Sequence, residues 1–307
     1  MTTSAEIVPL PPGTMLRGKW NGNSYRLEKL LGLGTNGQVY LAVSNGYYRC
    51  AVKLGLELAE LQGEANLLAS LDAAEKHRKP FLIDVDDAVI ADREVPFYVM
   101  KYVTGIPVKA YLRKNGSDWM GVIGYRLLER LAQLHEAGRV FGDIKSDNVL
   151  VGDYGKVELV DFGGLSEIGR SVRQYTEICD RGYWLAGART ADPAYDWFGV
   201  AMMWIHAIDG KRLNQLTKTL LPQNRHPQEV MRLVRSHSKL RRVETWIEKA
   251  LAGQFSNTDE AAKQWRECFI PNVKSLRTTS RVPRWMTNLL VGSIIVFVSV
   301  AALFYLQ

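Results

Sequence analysis

Residues 139–165, RVFGDIKSDNVLVGDYGKVELVDFGGL, constrain the fold more than any other stretch of the chain. A carboxylate (Asp143), a cation (Lys145) and an amide (Asn148) lie close together, and a second carboxylate (Asp161) follows Asn148 by 13 residues. Upstream, Leu127, Leu128, Leu131 and Leu134 share one face of an amphipathic helix. That helix is expected to end near Ala137-Gly138, where glycine is a natural C-cap, so the polar trio falls on a loop. Short strands over 148–151 and 156–160 then deliver Asp161-Phe162-Gly163. A single Asp or Asn here is more often an ordinary turn residue; the ordered set carries the information.

A second constraint lies nearer the start. Tyr25–Leu31 alternates like a strand and runs into Gly32-Leu33-Gly34-Thr35-Asn36-Gly37-Gln38-Val39-Tyr40, then the apolar Leu41-Ala42-Val43. Glycines at this spacing between two strands let a backbone approach a nucleotide's phosphates. The segment continues as a strand after Gly37 rather than as a helix, which argues against a dinucleotide-binding unit. Cys50-Ala51-Val52-Lys53 follows as another strand, its lysine at the distance expected for reaching phosphates. Residues 57–72 read as a helix with the stripe Leu61, Ala65, Leu68 and Leu71. Glu64 lies beside that stripe and is the preferred carboxylate for Lys53, with Glu57 and Glu60 as competitors.

These residue types suit phosphoryl transfer from ATP, which rests on positioning and charge. Asp143 would take the acceptor hydroxyl's proton, Lys145 would hold the transferring phosphate, and the oxygens of Asn148 and Asp161 would grip Mg²⁺. In this order the motifs resemble the Hanks-type protein kinases over roughly residues 20–268. The resemblance implies roles for Gly32, Gly34 and Gly37 (glycine loop), with Gly32, Leu33, Gly34, Thr35, Asn36, Gly37, Gln38, Val39 and Lys53 against the nucleotide, for Lys53 and Glu64 (ion pair), Asp143 (catalytic base), Lys145 (γ-phosphate), and Asn148 and Asp161 (metal). It also implies a hinge at Met100-Lys101-Tyr102-Val103, with Met100 as gatekeeper and Met100, Tyr102 and Val103 against the nucleotide. Asp196-Trp197-Phe198-Gly199 resembles the start of the family's buried central helix, expected to run apolar to Ile208. KWNGNSYRL, FGDIKSDN and DRGYW, with the C-terminal apolar segment, are similar to the small tail-anchored Ser/Thr kinases of spore-forming Bacilli, which implies a sporulation-linked role.

The fold implied is an α+β, bilobal protein kinase-like fold followed by a single C-terminal transmembrane helix. Residues 1–19 would be a flexible leader and 20–270 the kinase domain, with an N-lobe over 20–100 and a C-lobe over 104–270. Residues 271–284 would be a basic juxtamembrane linker and 285–307 the membrane helix. Two departures stand out. Phe141-Gly142 replaces the family's His-Arg before the catalytic aspartate, so a phosphorylated activation loop has no arginine partner there. Arg170, Arg173 and Arg181 are the possible substitutes. No A-P-E motif is recognisable, and Ser166, Ser171, Thr176 and Thr190 are candidate autophosphorylation sites on chemistry alone.

Composition sets the remaining limits. Of 307 residues, 47% are apolar and 23% charged, which excludes a disordered chain. Three separated cysteines exclude a disulfide scaffold or structural zinc and indicate a reducing compartment. The first residues lack the pattern of a signal peptide. No charge occurs from Trp285 to Gln307, and Leu289–Leu306 reads LLVGSIIVFVSVAALFYL. About 20 apolar residues cross a bilayer core, and Lys274, Arg277, Arg281 and Arg284 precede the segment. The positive-inside rule then leaves the kinase domain cytoplasmic, on a single-pass anchor in the cell membrane. Lys274–Arg284 would meet anionic lipid.

Residues 211–249 carry ten Lys/Arg against three acidic residues, including Arg232, Arg235, Lys239, Arg241 and Arg242. The ordinary reading is solvated helix faces. The sharper one is non-sequence-specific binding of DNA or another polyanion, bridging molecules for phosphorylation in trans as a homodimer. The leading function is a membrane-anchored Ser/Thr kinase acting on itself and cytoplasmic proteins. The alternatives are a small-molecule kinase of aminoglycoside-phosphotransferase type and a pseudokinase scaffold.

Overall fold

Alternation of apolar residues in the N-terminal third closes it into one antiparallel sheet. The computed structural model describes residues 8–34, 37–44, 48–55, 57–74, 80–172, 176–270 and 292–293. The strands are β1 (Met15–Arg17), β2 (Ser24–Gly34), β3 (Gly37–Ser44), β4 (Arg49–Leu54), β5 (Leu82–Ile90) and β6 (Arg93–Lys101), in the order β1-β2-β3-β4-β6-β5. Helix α1 (Leu58–Ala74) connects β4 to β5. One face of the sheet buries Tyr25, Leu27, Tyr40, Val52, Leu54, Phe97 and Val99 together. Leu16 belongs to this core, and Leu10 N–H donates to the Tyr40 hydroxyl at 2.8 Å. The ordered lobe thus starts before residue 20, within the leader expected over 1–19, because β1 is anchored by a buried leucine; residues 1–7 lie outside the described residues.

The second lobe holds β7 (Ile106–Pro107), α2 (Val108–Asn115), α3 (Met120–Glu136), β8 (Arg139–Val140), β9 (Val149–Val151), β10 (Val157–Leu159), β11 (Ser166–Glu167), α4 (Pro193–Thr219), α5 (Pro227–Ser236), α6 (Ser238–Arg241), α7 (Glu244–Ala252) and α8 (Thr258–Phe269). Asn148 lies in a tight 3₁₀ turn before β9 rather than in the strand expected to begin there. Helix α3 gives way at Ala137, and Gly138 follows with φ +71°, the left-handed stop anticipated from its sequence.

Every residue of α4 from Tyr195 to Ile205 is buried, as an all-round apolar run requires. The helix continues past Ile208 to Thr219, through a non-helical Asp209, as a second stretch that buries Leu213. Trp204, Trp246 and Trp265 meet at its side, with ring centroids 5.5 Å (Trp204–Trp265) and 4.8 Å (Trp246–Trp265) apart. Gly124 of α3 makes this possible: a Cβ there would lie 2.3 Å from the Trp265 ring. Gly124→Ala should therefore lower stability by about 1–3 kcal/mol through overpacking, read as a reduced midpoint in chemical denaturation.

The chain divides into two units, Met1–Cys268 and Phe269–Gln307. Among the described residues no helix is long and apolar enough to cross a membrane. The span expected at 285–307 lies outside the described residues, apart from Gly292 and Ser293, which are helical.

Candidate active site

Register decides which N-lobe residues face the second lobe. Val39 pairs with Lys53, Lys53 with Tyr98, and Ala51 with Met100, so these side chains share one face. Gln38 pairs with Leu54, which pairs with Phe97, and both partners belong to the core on the other face. Gln38 accepts from the Tyr40 hydroxyl there. The expectation that Gln38 contacts nucleotide is thereby corrected for its side chain; strand alternation turns it away.

Gly32 pairs with Val39 on the Lys53 face, and a Cβ at Gly32 would meet no atom within 4 Å. Its missing side chain leaves open space on that face, which suits the approach of a nucleotide's phosphates. Gly37 has a different reason: with φ +135°, its Cβ would lie 2.0 Å from the Leu54 carbonyl oxygen. Leu33 is exposed, Met100 buried, and Tyr102 and Val103 half-buried after β6. Gly34 closes the hairpin opposite Gly37, while Thr35 and Asn36 lie outside the described residues.

Lys53 reaches two carboxylates. Its Nζ lies 2.9 and 2.7 Å from Glu64 Oε1 and Oε2, and 3.2 Å from Asp161 Oδ1. Glu64, rather than Glu57 or Glu60, is the carboxylate that meets it. Burial by itself pushes the Lys53 ammonium down, but Glu64 and then Asp161 outweigh it and hold its pKa above the ordinary lysine value. The Tyr98 hydroxyl donates to Glu64 Oε1 at 2.8 Å. Burial first, and the Glu64 charge second, keep that phenol protonated. Tyr98 was not singled out from the sequence, although its alternation with Met100 in REVPFYVMK was a usable signal.

Asp143 is buried and accepts three side-chain hydrogen bonds. Lys145 Nζ donates to Oδ2 at 2.7 Å, Asn148 Nδ2 to Oδ2 at 3.1 Å, and the Thr176 hydroxyl to Oδ1 at 2.9 Å. Asn148 Nδ2 also donates to the Asp143 carbonyl at 2.9 Å. Its nitrogen is thus committed, leaving the amide oxygen as the atom able to ligate a hard cation. With the Asp161 carboxylate, this oxygen donor set fits a hard cation such as Mg²⁺. Cys179 lies close by, but burial first and Asp143 second push its thiol up to about 12, so it is no nucleophile at neutral pH. Phe162 packs edge-to-face on both Phe81 and the buried Phe141, at centroid distances of 5.1 and 5.6 Å.

The substitution before Asp143 has a steric cause. Gly142 has φ +81°, and a Cβ there would sit 2.6 Å from the Gly164 carbonyl oxygen. No arginine fits without moving the backbone. Gly142→Ala should cost about 1–3 kcal/mol from the left-handed φ alone and displace Asp143, so both the denaturation midpoint and the turnover should fall. Arg181, a possible substitute, is committed to Asp192 at 2.6 Å and to the carbonyls of Ala188 and Thr190. Arg170 is exposed and 3.9 Å from Glu167, and Arg173 lies outside the described residues. Ser166 is buried and donates to the Gly164 carbonyl, whereas Ser171 and Thr190 face each other across an isolated bridge. Asp196, fully buried, accepts the backbone N–H groups of both Phe141 and Gly142 at 2.8 Å. Nothing in the loop's own sequence announces that clamp.

The family model described as the protein kinase domain matches residues 25–283. The chain belongs to the protein kinase family. It is 38% identical over 260 residues to the serine/threonine-protein kinase YabT of Bacillus subtilis, covering 83% of this kinase and 74% of YabT. It is 26% identical to the serine/threonine-protein kinase dst1 of Dictyostelium discoideum, over 68% of this chain but 28% of dst1. Among solved structures, vaccinia-related kinase 3 aligns with a TM-score of 0.58 and 16% identity, covering 89% of this chain and 95% of that one, a likeness of fold. The kinase is thus a Hanks-type serine/threonine protein kinase similar to YabT, with the α+β bilobal fold.

Proposed function

We propose that this kinase transfers the γ-phosphate of ATP to Ser and Thr hydroxyls of itself and of cytoplasmic proteins. The observation that carries the reading is at Asp143: one oxygen accepts an aliphatic hydroxyl, that of Thr176, at 2.9 Å, while Lys145 stands 2.7 Å from the other. A protein hydroxyl arriving at Oδ1 gives up its proton to that carboxylate as its oxygen attacks phosphorus. Lys145 holds the transferring phosphate. Lys53, oriented by Glu64, pairs with the inner phosphates, and the hairpin around Gly32 covers them. Asn148 and Asp161 would hold Mg²⁺, which would supply neutralising charge at the phosphates.

The uncharged residues 285–307, preceded by Lys274, Arg277, Arg281 and Arg284, support a single-pass anchor in the cell membrane. The kinase domain is then cytoplasmic and the linker 271–284 lies against anionic lipid. The surplus of basic residues over 211–249 supports activation by DNA or another polyanion that gathers two copies for phosphorylation in trans. Against it, Arg212, Arg232 and Arg235 already pair with Asp209, Glu229 and Glu244.

The test incubates the detergent-solubilised full chain with γ-labelled ATP, Mg²⁺, a generic protein acceptor and an aminoglycoside, with and without duplex DNA. Label on Ser and Thr, absent from an Asp143→Asn control, is the expected result. Label on the aminoglycoside alone would favour the small-molecule kinase, and no label at all the scaffold. Stimulation by DNA that fades with added salt supports the polyanion reading, because phosphate contacts release counterions.

A further inference from the structure

Lys53 has three protons and three acceptors. Its Nζ lies 2.9 Å from Glu64 Oε1, 2.7 Å from Glu64 Oε2 and 3.2 Å from Asp161 Oδ1. An ammonium has no further donor to offer, so each bond that Lys53 makes to a nucleotide's phosphate must be taken from one of these carboxylates. The Asp161 contact gives way most readily, because that side chain is 41% exposed and water can replace the lysine. A second bond to phosphate has to come from Glu64. That side chain is buried, and a carboxylate oxygen left there without a donor bears its full desolvation penalty.

Tyr98 supplies the donor that Glu64 then needs. The strand register sets Tyr98 beside Lys53, and its hydroxyl donates to Glu64 Oε1 at 2.8 Å. Oε1 thus accepts from the lysine and from the phenol, and it keeps a hydrogen bond when the lysine proton turns away. The residue is fully buried, and its phenol stays protonated beside the carboxylate, so the donor is present throughout.

We propose that Tyr98 is a positioning residue for nucleotide binding. Its hydroxyl keeps Glu64 Oε1 satisfied while Lys53 redirects a proton from that oxygen to a phosphate. Glu64 therefore holds its place on α1, and the ammonium can serve the carboxylate and the nucleotide together. Tyr98 acts through Glu64 and Lys53. The inference rests on the kinase reading and adds to it a residue of β6 that lies outside the ordered motifs.

The experiment measures, by calorimetry, the binding of ATP with Mg²⁺ and of adenosine to the detergent-solubilised full chain. Wild type, Tyr98→Phe, Glu64→Ala and the double variant Tyr98→Phe/Glu64→Ala are compared, with a denaturation midpoint for each. Phenylalanine keeps the buried ring and removes only the hydroxyl. A hydrogen bond to a charged group is strong enough that its loss should raise the ATP Kd of Tyr98→Phe by about tenfold. Adenosine brings no phosphate to compete for Lys53, so its Kd should not change. In the Glu64→Ala background the hydroxyl has no carboxylate to hold, and adding Tyr98→Phe should alter ATP affinity by no more than about twofold.

An unchanged ATP Kd in folded Tyr98→Phe would overturn the proposal. Equal losses of ATP and adenosine affinity would overturn it too, since they would reveal a packing defect of the cleft, as would the same loss with and without Glu64. If Glu64→Ala does not fold, the contrast between ATP and adenosine in Tyr98→Phe decides alone. Wild type that binds ATP but transfers phosphate to no acceptor would sink the kinase reading and leave this role of Tyr98 intact. Wild type that binds neither ligand would remove both.

Discussion

Asp143→Asn is expected to remove phosphoryl transfer while leaving the fold intact. The substitution is nearly isosteric, and the existing contacts tolerate it. The asparagine oxygen can take the place of Oδ2 and accept from Lys145 and Asn148. Its nitrogen then faces the Thr176 hydroxyl, which can turn from donor to acceptor. What disappears is the ability to take a proton from an incoming hydroxyl at Oδ1. General-base catalysis contributes about 10²–10⁴-fold, so kcat should fall by that amount while the denaturation midpoint stays close to wild type. A midpoint that drops in parallel with kcat would assign Asp143 a mainly structural role.

Lys53→Met is expected to damage both activity and stability, for separable reasons. Lys53 and Glu64 are both buried, with side-chain exposures of 6% and 7%. Removing one partner of a buried pair leaves an uncompensated charge and costs about 3–5 kcal/mol. Tyr98 still donates to Glu64 but cannot neutralise it. The Asp161 contact adds little to this penalty, because that carboxylate is 41% exposed and water can replace the lysine. The double variant Lys53→Met/Glu64→Gln removes the stranded charge and should recover most of the stability. It should not recover turnover, since the cation facing the phosphates is still missing. Denaturant unfolding and labelled-phosphate transfer on the same three proteins separate the two effects. Equal stability for the single and double variants would show that Glu64 is not held as a buried charge.

The same site shows how far residue order carries. Asp143, Lys145, Asn148, Lys53 and Glu64 were legible because each lies within a local pattern, such as the glycine hairpin, the helix stripe or the polar loop closed by Gly138. Gln38 was misplaced because a motif names neighbouring positions without saying which face of the strand each occupies; its pairing with Leu54 decides that. The start of the folded unit was set too late because a three-residue strand has too few residues to show a period, and only the burial of Leu16 reveals it.

The sequence by itself determined the family, the order of the two lobes and the residue types gathered for phosphoryl transfer, since these depend on local periodicity and on chemistry at fixed spacing. Only the tertiary structure decided that Asp161 shares Lys53 with Glu64, that Thr176 lies on Asp143, that Gly142 has no room for a side chain, and that Asp196 is tied to Thr258 through His135. Periodicity reports which face of an element is buried; it says nothing about which distant atoms will meet that face, and those meetings, 108 residues apart in the Lys53–Asp161 pair and 123 in the His135–Thr258 pair, are what align the site.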